Sequence, residues 1–117
     1  MDLSKIEKDL TSVIKLSSIQ AKIFLLIVTK GKMNSNKIAN QLDISNEEAY
    51  SNCKQLVDLG GFIEITENEF EAMHPRFTAV NMYRKMCEKE KIEFKRNVTV
   101  DNIGVVLETP YDDARTK

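Results

Sequence analysis

Asn34-Ser35-Asn36-Lys37-Ile38-Ala39-Asn40-Gln41-Leu42-Asp43-Ile44-Ser45-Asn46-Glu47-Glu48-Ala49-Tyr50 contains two helix openings, at Asn34 and at Ser45. Asn34 can cap a short helix over Ser35 to Leu42, with Ile38, Ala39 and Leu42 facing inward. Asp43-Ile44-Ser45 is then a tight connection. Ser45-Asn46-Glu47-Glu48 has the Ser-x-x-Glu form of a capping box and opens a second helix reaching about Leu59. Its inward positions are Ala49, Cys53, Leu56 and Val57, and Gly60-Gly61 ends it. Ala39 stands where the two helices must approach closely, and Ile44 where the turn residue must be buried. The pair reads as a helix-turn-helix over residues 34–59.

Beyond the glycines the period changes from helical to two. Phe62, Ile63 and Ile65 lead into Thr66-Glu67-Asn68, and Phe70, Ala72 and Met73 follow, with Glu64, Glu69 and Glu71 between them. Two short strands about a polar turn make a hairpin over residues 61–73. His74-Pro75 closes it, because Pro75 has no N–H for a ladder. Upstream, Leu3, Ile6, Leu10, Val13 and Ile14 mark one face of a helix over residues 3–15, which Asp2 or Ser4 could cap. Ser17-Ser18-Ile19-Gln20 has the form of a second capping box. It opens a helix that is apolar nearly all round, ends at Gly31 and belongs at the centre of the core. From Phe77 to about Arg96 the pattern is helical and heavily charged. Asn102 to Glu108 can form a further helical stretch, which Pro110 is expected to break or follow with a final turn.

The expected fold is therefore mainly α with a small β-hairpin: an α+β winged helix-turn-helix over residues 1–75, with a C-terminal helical extension over 76–117. The chain has 117 residues and is 42% hydrophobic and 30% charged, enough for one core and too apolar for a disordered chain. Its longest apolar run, Ile23 to Val28, falls far short of the roughly 20 residues that cross a bilayer. The N-terminus lacks the basic-then-apolar pattern of a secretory signal. A cytoplasmic protein without membrane contact is expected. One histidine and two separated cysteines, Cys53 and Cys87, are too few for a structural zinc site, so neither metal nor cofactor is expected. No glycine-rich phosphate loop occurs, and His74 has no visible partner for general-base work. An enzyme is not expected.

The net charge of −1 conceals a strong segregation. Residues 1–40 hold seven lysines against three acids, and residues 76–97 hold seven basic groups against three acids. Residues 41–75 hold Lys54 alone against eight acids.

Ile19-Gln20-Ala21-Lys22-Ile23-Phe24-Leu25, Lys37-Ile38-Ala39 and Glu48-Ala49-Tyr50-Ser51 resemble the N-terminal domain of the TrmB-like archaeal transcription regulators. Gly61-Phe62-Ile63-Glu64-Ile65 through Phe70-Glu71-Ala72-Met73-His74-Pro75 is similar to that family's wing and its exit into the next helix. The likeness covers roughly residues 10–90. It implies a domain that binds operator DNA as a dimer, with a helix after the wing contributing to dimerisation. Longer members add a sugar-binding domain. The stretch after residue 90 is too short for one, so a regulator without its own ligand-sensing domain is expected.

In such docking the N-terminal half of the second helix enters the major groove. Its outward positions are Asn46, Glu47, Tyr50, Ser51 and Lys54. Asn46 is placed to read adenine, and Tyr50 and Ser51 to bond to phosphate or base edges. Ser35, Asn36 and Lys37 are expected at a phosphate, and Lys30, Lys32 and Arg76 add phosphate candidates. Against this stands the acidic wing, with Glu64, Glu67, Glu69 and Glu71 and no basic residue. The resemblance implies basic groups there. Double-stranded DNA is thus favoured by architecture and opposed by charge. Two alternatives follow: DNA binding mainly through the basic flanks, residues 1–40 and 76–97, with the acidic wing turned away, or a protein-interaction module that offers its acidic wing to a basic partner. Met82, Tyr83, Met86 and Cys87, extended by Ile92 and Phe94, form an apolar stripe. It either packs back on Leu10 and Ile14 or meets the same helix of a second chain in a homodimer.

Overall fold

The structure is a computed structural model that describes residues 3–116. Its first helix, α1 (Ser4–Ser12), is shorter than the periodicity predicts. Lys15 turns into the left-handed region at φ 69°, and the Leu16 N–H donates to the Leu10 carbonyl at 3.2 Å. That turn keeps Ile14 and Leu16 buried although both lie outside the helix. Leu3 occupies the N-cap and makes no side-chain cap bond, and the alternative cap, Asp2, lies outside the described residues.

α2 (Ser18–Lys30) opens with the predicted capping box: Ser17 Oγ accepts from the Gln20 N–H, and Gln20 Oε1 accepts from the Ser17 N–H. Gly31, at φ +100°, ends it in a conformation that side chains resist. Six of its residues are buried (Ala21, Ile23, Phe24, Leu25, Ile27 and Val28), so it is the central element of the core. At about 1.5–3 kcal/mol for each large apolar side chain taken out of water, this one helix anchors the fold.

A two-residue strand, β1 (Met33–Asn34), follows. It gave no sequence signal, since two residues are too few to show a period. The remaining elements are α3 (Ser35–Leu42), α4 (Asn46–Asp58), β2 (Phe62–Thr66), β3 (Glu69–Ala72), α5 (Pro75–Glu90) and α6 (Val98–Arg115). The sheet is antiparallel in the order β1-β3-β2, with Met33 opposite Phe70 and Phe62 opposite Ala72. The wing is thus hydrogen-bonded to the residue that caps α3. Asn68 takes φ 69° in the β2–β3 turn, a conformation asparagine tolerates well. Phe62, Phe70 and Ala72 are buried on the inner face, and the Phe24 and Phe62 rings stack at 5.9 Å. Ile63 and Ile65 are exposed, whereas Glu64 shares the inner side of β2 with Phe62.

Two expectations for the C-terminal part are corrected. α5 begins at Pro75, which suits the first helical position, and stops at Glu90, six residues short of Arg96. Lys91 adopts φ 56°, and the Ile92 N–H donates to the Cys87 carbonyl, closing the helix. Ile92 and Phe94 therefore lie in the following loop. The second correction is α6, an unbroken helix through Pro110. Proline inside a helix costs about 3 kcal/mol. Here Leu107 is buried before it, and Tyr111 and Arg115 are anchored after it, which offsets that cost. Asn97 caps α6 by accepting from the N–H groups of Thr99 and Val100.

The buried Val100, Ile103 and Leu107 of α6 belong to one core cluster with Leu10, Phe24, Phe62 and Met82. Gly104 lets the two last helices touch: a Cβ there would stand 2.7 Å from Arg76 Cα. α6 lies over α5, while the stripe turns the other way: Met82 Sδ would stand 2.6 Å from a Cβ at Gly61, and Met86 lines a cleft with Ile14 and Leu59. Met82, Met86 and Cys87 are buried within the chain, which leaves them no surface to offer a second copy. Tyr83 is half-buried and Phe94 exposed, with their rings 5.9 Å apart.

Candidate nucleic-acid interface

The turn between α3 and α4 is set by Asp43 in the left-handed region (φ 56°) and by the Ile44 N–H donating to the Ala39 carbonyl at 3.1 Å. Asn34 Oδ1 accepts from the Lys37 N–H at 2.8 Å, as a cap of α3 should. Ser45 Oγ accepts from the Glu48 N–H at 3.0 Å, but Glu48 does not return the bond. Only half of the predicted box forms. The Glu48 side chain stays in solvent, where the positive end of the helix dipole favours it.

The docking candidates separate into three groups. Asn36, Lys37, Asn46, Tyr50 and Ser51 are exposed on α3 and the first two turns of α4, as are Lys30 and Lys32 on the approach to α3. Among the described residues no carboxylate is paired with Lys30, Lys32 or Lys37, which leaves their charge for a ligand. Tyr50 is 40% exposed, and its ring meets the edge of Phe70 at 6.1 Å, so the wing fixes its direction.

Ser35 is a correction. It is fully buried, and its hydroxyl donates to Asn46 Oδ1 at 2.6 Å. It is a strut between the first residues of the two helices and cannot reach a phosphate. Asn46 keeps its amide N–H groups and the second lone pair of its carbonyl for base edges.

Lys54 and Arg76 are engaged elsewhere. Lys54 Nζ stands 2.8 Å from Glu64 Oε1 in the wing. Glu64 also accepts from the Asn68 N–H at 3.2 Å, so this glutamate ties α4 to the wing's turn. These bonds hold Glu64 below its ordinary value and Lys54 above its own. Arg76 lies on the α5–α6 seam, 3.5 Å from Glu108. Sequence order could not reveal either pairing, because the partners lie 10 and 32 residues away on other elements.

The acidic wing changes meaning with these contacts. Glu64 is neutralised by Lys54, and Glu71 by Arg115, whose guanidinium is bonded to its Oε1. Glu67 at the tip and Glu69 remain without an ion pair among the described residues. Half of the wing's negative charge is therefore compensated internally.

The family model described as sugar-specific transcriptional regulator TrmB matches residues 10–85. This chain belongs to the TrmB family. The match runs from the end of α1 into α5 and so contains the helix-turn-helix and the wing, while α6 lies outside it. Neither the curated proteins nor the solved structures compared with the chain yield a match. TrmB proteins are DNA-binding transcriptional regulators, not enzymes, and the expected family and α+β winged-helix fold hold for this chain. Among the described residues no helix is long and apolar enough to cross a membrane. No group of three or more His, Cys, Asp or Glu side chains among them is arranged to hold a metal ion.

Proposed function

We propose that this TrmB-family protein is an operator-binding transcription regulator that inserts α4 into the major groove and acts as a homodimer. The observation that carries the reading is the free outer face of α4's first two turns, Asn46, Glu47, Tyr50 and Ser51, beside an α3 that bears unpaired Lys37. Asn46 reads a base, Tyr50 and Ser51 meet phosphate or base edges, and Lys30, Lys32, Asn36 and Lys37 grip the backbone. Internal pairing of Glu64 and Glu71 reduces the electrostatic opposition, and with it the ground for a protein-docking module.

The dimer contact moves from the buried stripe to what α5 and α6 leave outside. Phe77, Phe94, Val98 and Val105 are large apolar side chains exposed on these helices and their connection. Val98 and Val105 recur at a seven-residue spacing on one side of α6.

Fluorescence anisotropy with a pool of genomic fragments at two salt concentrations tests the DNA reading. Expected is binding whose log K falls with log salt by about 0.9 per phosphate contact, with enrichment of particular sequences. Absence of binding at low salt would overturn it. Sedimentation of the parent against Val98→Glu tests the dimer: a two-protomer parent and a dissociated variant are expected, and a monomeric parent refutes it.

A further inference from the structure

α6 ends in a side-chain arrangement that the DNA-binding surface does not use. Arg115 points its guanidinium at the C-terminal end of α2. Nη1 donates to the Val28 carbonyl at 2.8 Å and to the Tyr111 carbonyl at 3.0 Å. Nη2 donates to the Ile27 carbonyl at 3.0 Å and is bonded to Glu71 of β3. The cation thus sits where the dipole of the core's central helix is negative. Its Cζ also lies 3.8 Å from the centre of the Tyr111 ring, within cation–π range. Tyr111 in turn donates its hydroxyl to the Ala72 carbonyl at 3.2 Å, and the His74 ring meets it at 5.4 Å.

Glu71 and Ala72 are the last two residues of β3. β3 is the middle strand of the sheet, paired with the wing strand β2 on one side and with β1, which leads into α3, on the other. A bond to the end of β3 therefore acts on the wing and on the approach to α3 together. Glu71 Oε1 also accepts from the Ala72 N–H at 2.8 Å, which stiffens the same two residues.

We infer that Arg115 and Tyr111 are positioning residues for DNA binding: they clamp β3 to the end of α2 and so hold the wing at the angle the groove requires. They touch no DNA themselves. Arg115 acts by geometry and by cancelling the Glu71 charge, and Tyr111 by geometry alone. The inference rests on the DNA-binding reading for its functional consequence, while the clamp itself has an independent readout.

The test uses the full chain, as parent, Tyr111→Phe, Arg115→Gln and the double variant Arg115→Gln/Glu71→Gln. Hydrogen exchange of the amides in 62–72 reports the wing, and the core of α4 serves as the control. Tyr111→Phe should speed wing exchange roughly fivefold, the loss of one net hydrogen bond, and leave α4 unchanged. Operator affinity should fall by a similar factor with an unaltered salt slope, because no phosphate contact is lost. Arg115→Gln should do more of both, and the double variant should recover only the part due to the bare Glu71 charge. Unchanged wing exchange in both single variants overturns the inference, as does equal acceleration across every element, which would make the clamp a general stability device. A parent that fails to bind DNA would sink the regulator reading, yet the exchange data would still decide whether the clamp exists.

Discussion

Lys54 Nζ stands 2.8 Å from Glu64 Oε1, so α4 spends its sole basic side chain on the wing. The pair makes the wing less acidic and withdraws from DNA the lysine that sequence order puts forward. Removing the carboxylate should reverse both effects. Glu64→Gln is expected to raise DNA affinity at every sequence and to steepen the salt slope by about one, the signature of one added phosphate contact. An anisotropy salt titration of parent and variant checks this, and an unchanged slope would mean that Lys54 cannot turn to the DNA.

The same pair carries a pH dependence. Glu64 is held below its ordinary value of 4.5, first by the Lys54 hydrogen bond, so its contribution is complete above that value and disappears as pH falls through the lowered one. Lys54 is held above its ordinary 10.5, first by the Glu64 hydrogen bond, so its contribution is complete below that value and disappears as pH rises through the raised one. The Tm difference between parent and Glu64→Gln should therefore be level between these limits and shrink outside them. Thermal melts at pH 3, 7 and 11 would show it. Both groups are solvent-accessible, so the difference should be small and diminish with salt.

Ser35 and Asn46 join α3 to α4 through a 2.6 Å hydrogen bond whose donor is fully buried. Ser35→Ala should cost about 1 kcal/mol in urea denaturation. Under the proposed docking it should also lower discrimination at the base assigned to Asn46, since the amide loses its restraint. Asn46→Ala should lower it by about 1–3 kcal/mol at that position. In contrast, Lys37→Glu should weaken binding at all sequences alike. Base-by-base competition assays separate the two patterns.

Gly104 faces the backbone of Arg76, and a Cβ there would lie 2.7 Å from Arg76 Cα. Helix propensity alone favours Gly104→Ala by about 1 kcal/mol. Backbone cannot yield as a side-chain end does, so overpacking should prevail and destabilise by about 1–3 kcal/mol. Chemical denaturation decides the sign.

Cys53 is buried, and burial pushes its thiol up to about 12. Cys87 is buried as well, and neither is in a disulfide. Since the thiolate is the reactive form, Cys53 should resist thiol reagents at pH 8 in the native protein and react only in denaturant. Rapid native labelling would show that the α4 side of the core opens.

The sequence by itself determined the helix boundaries and the hairpin within residues 17–75. Ser17 with Gln20, Asn34, Ser45 and Gly31 start and stop helices through bonds to backbone groups within four residues, and the switch from helical to alternating period placed the hairpin. Such signals are short-range, so they survive without knowledge of the fold. They sufficed to recognise a winged helix-turn-helix and its family. Tertiary structure decided which of the outward-looking residues are free. Ser35 is covered because α4 begins against it, Lys54 is occupied because the β2 register brings Glu64 to it, and Met82 and Met86 are closed off because α5 lays them against Gly61 and beside Ile14 and Leu59. β1 exists only as the partner of β3, where Met33 faces Phe70, and α6 runs on through Pro110 with Leu107 buried before it and with Tyr111 and Arg115 bonded to Ala72 and Val28 after it. The Glu71–Arg115 pair spans 44 residues, and charges so far apart in sequence meet only when the whole core has formed.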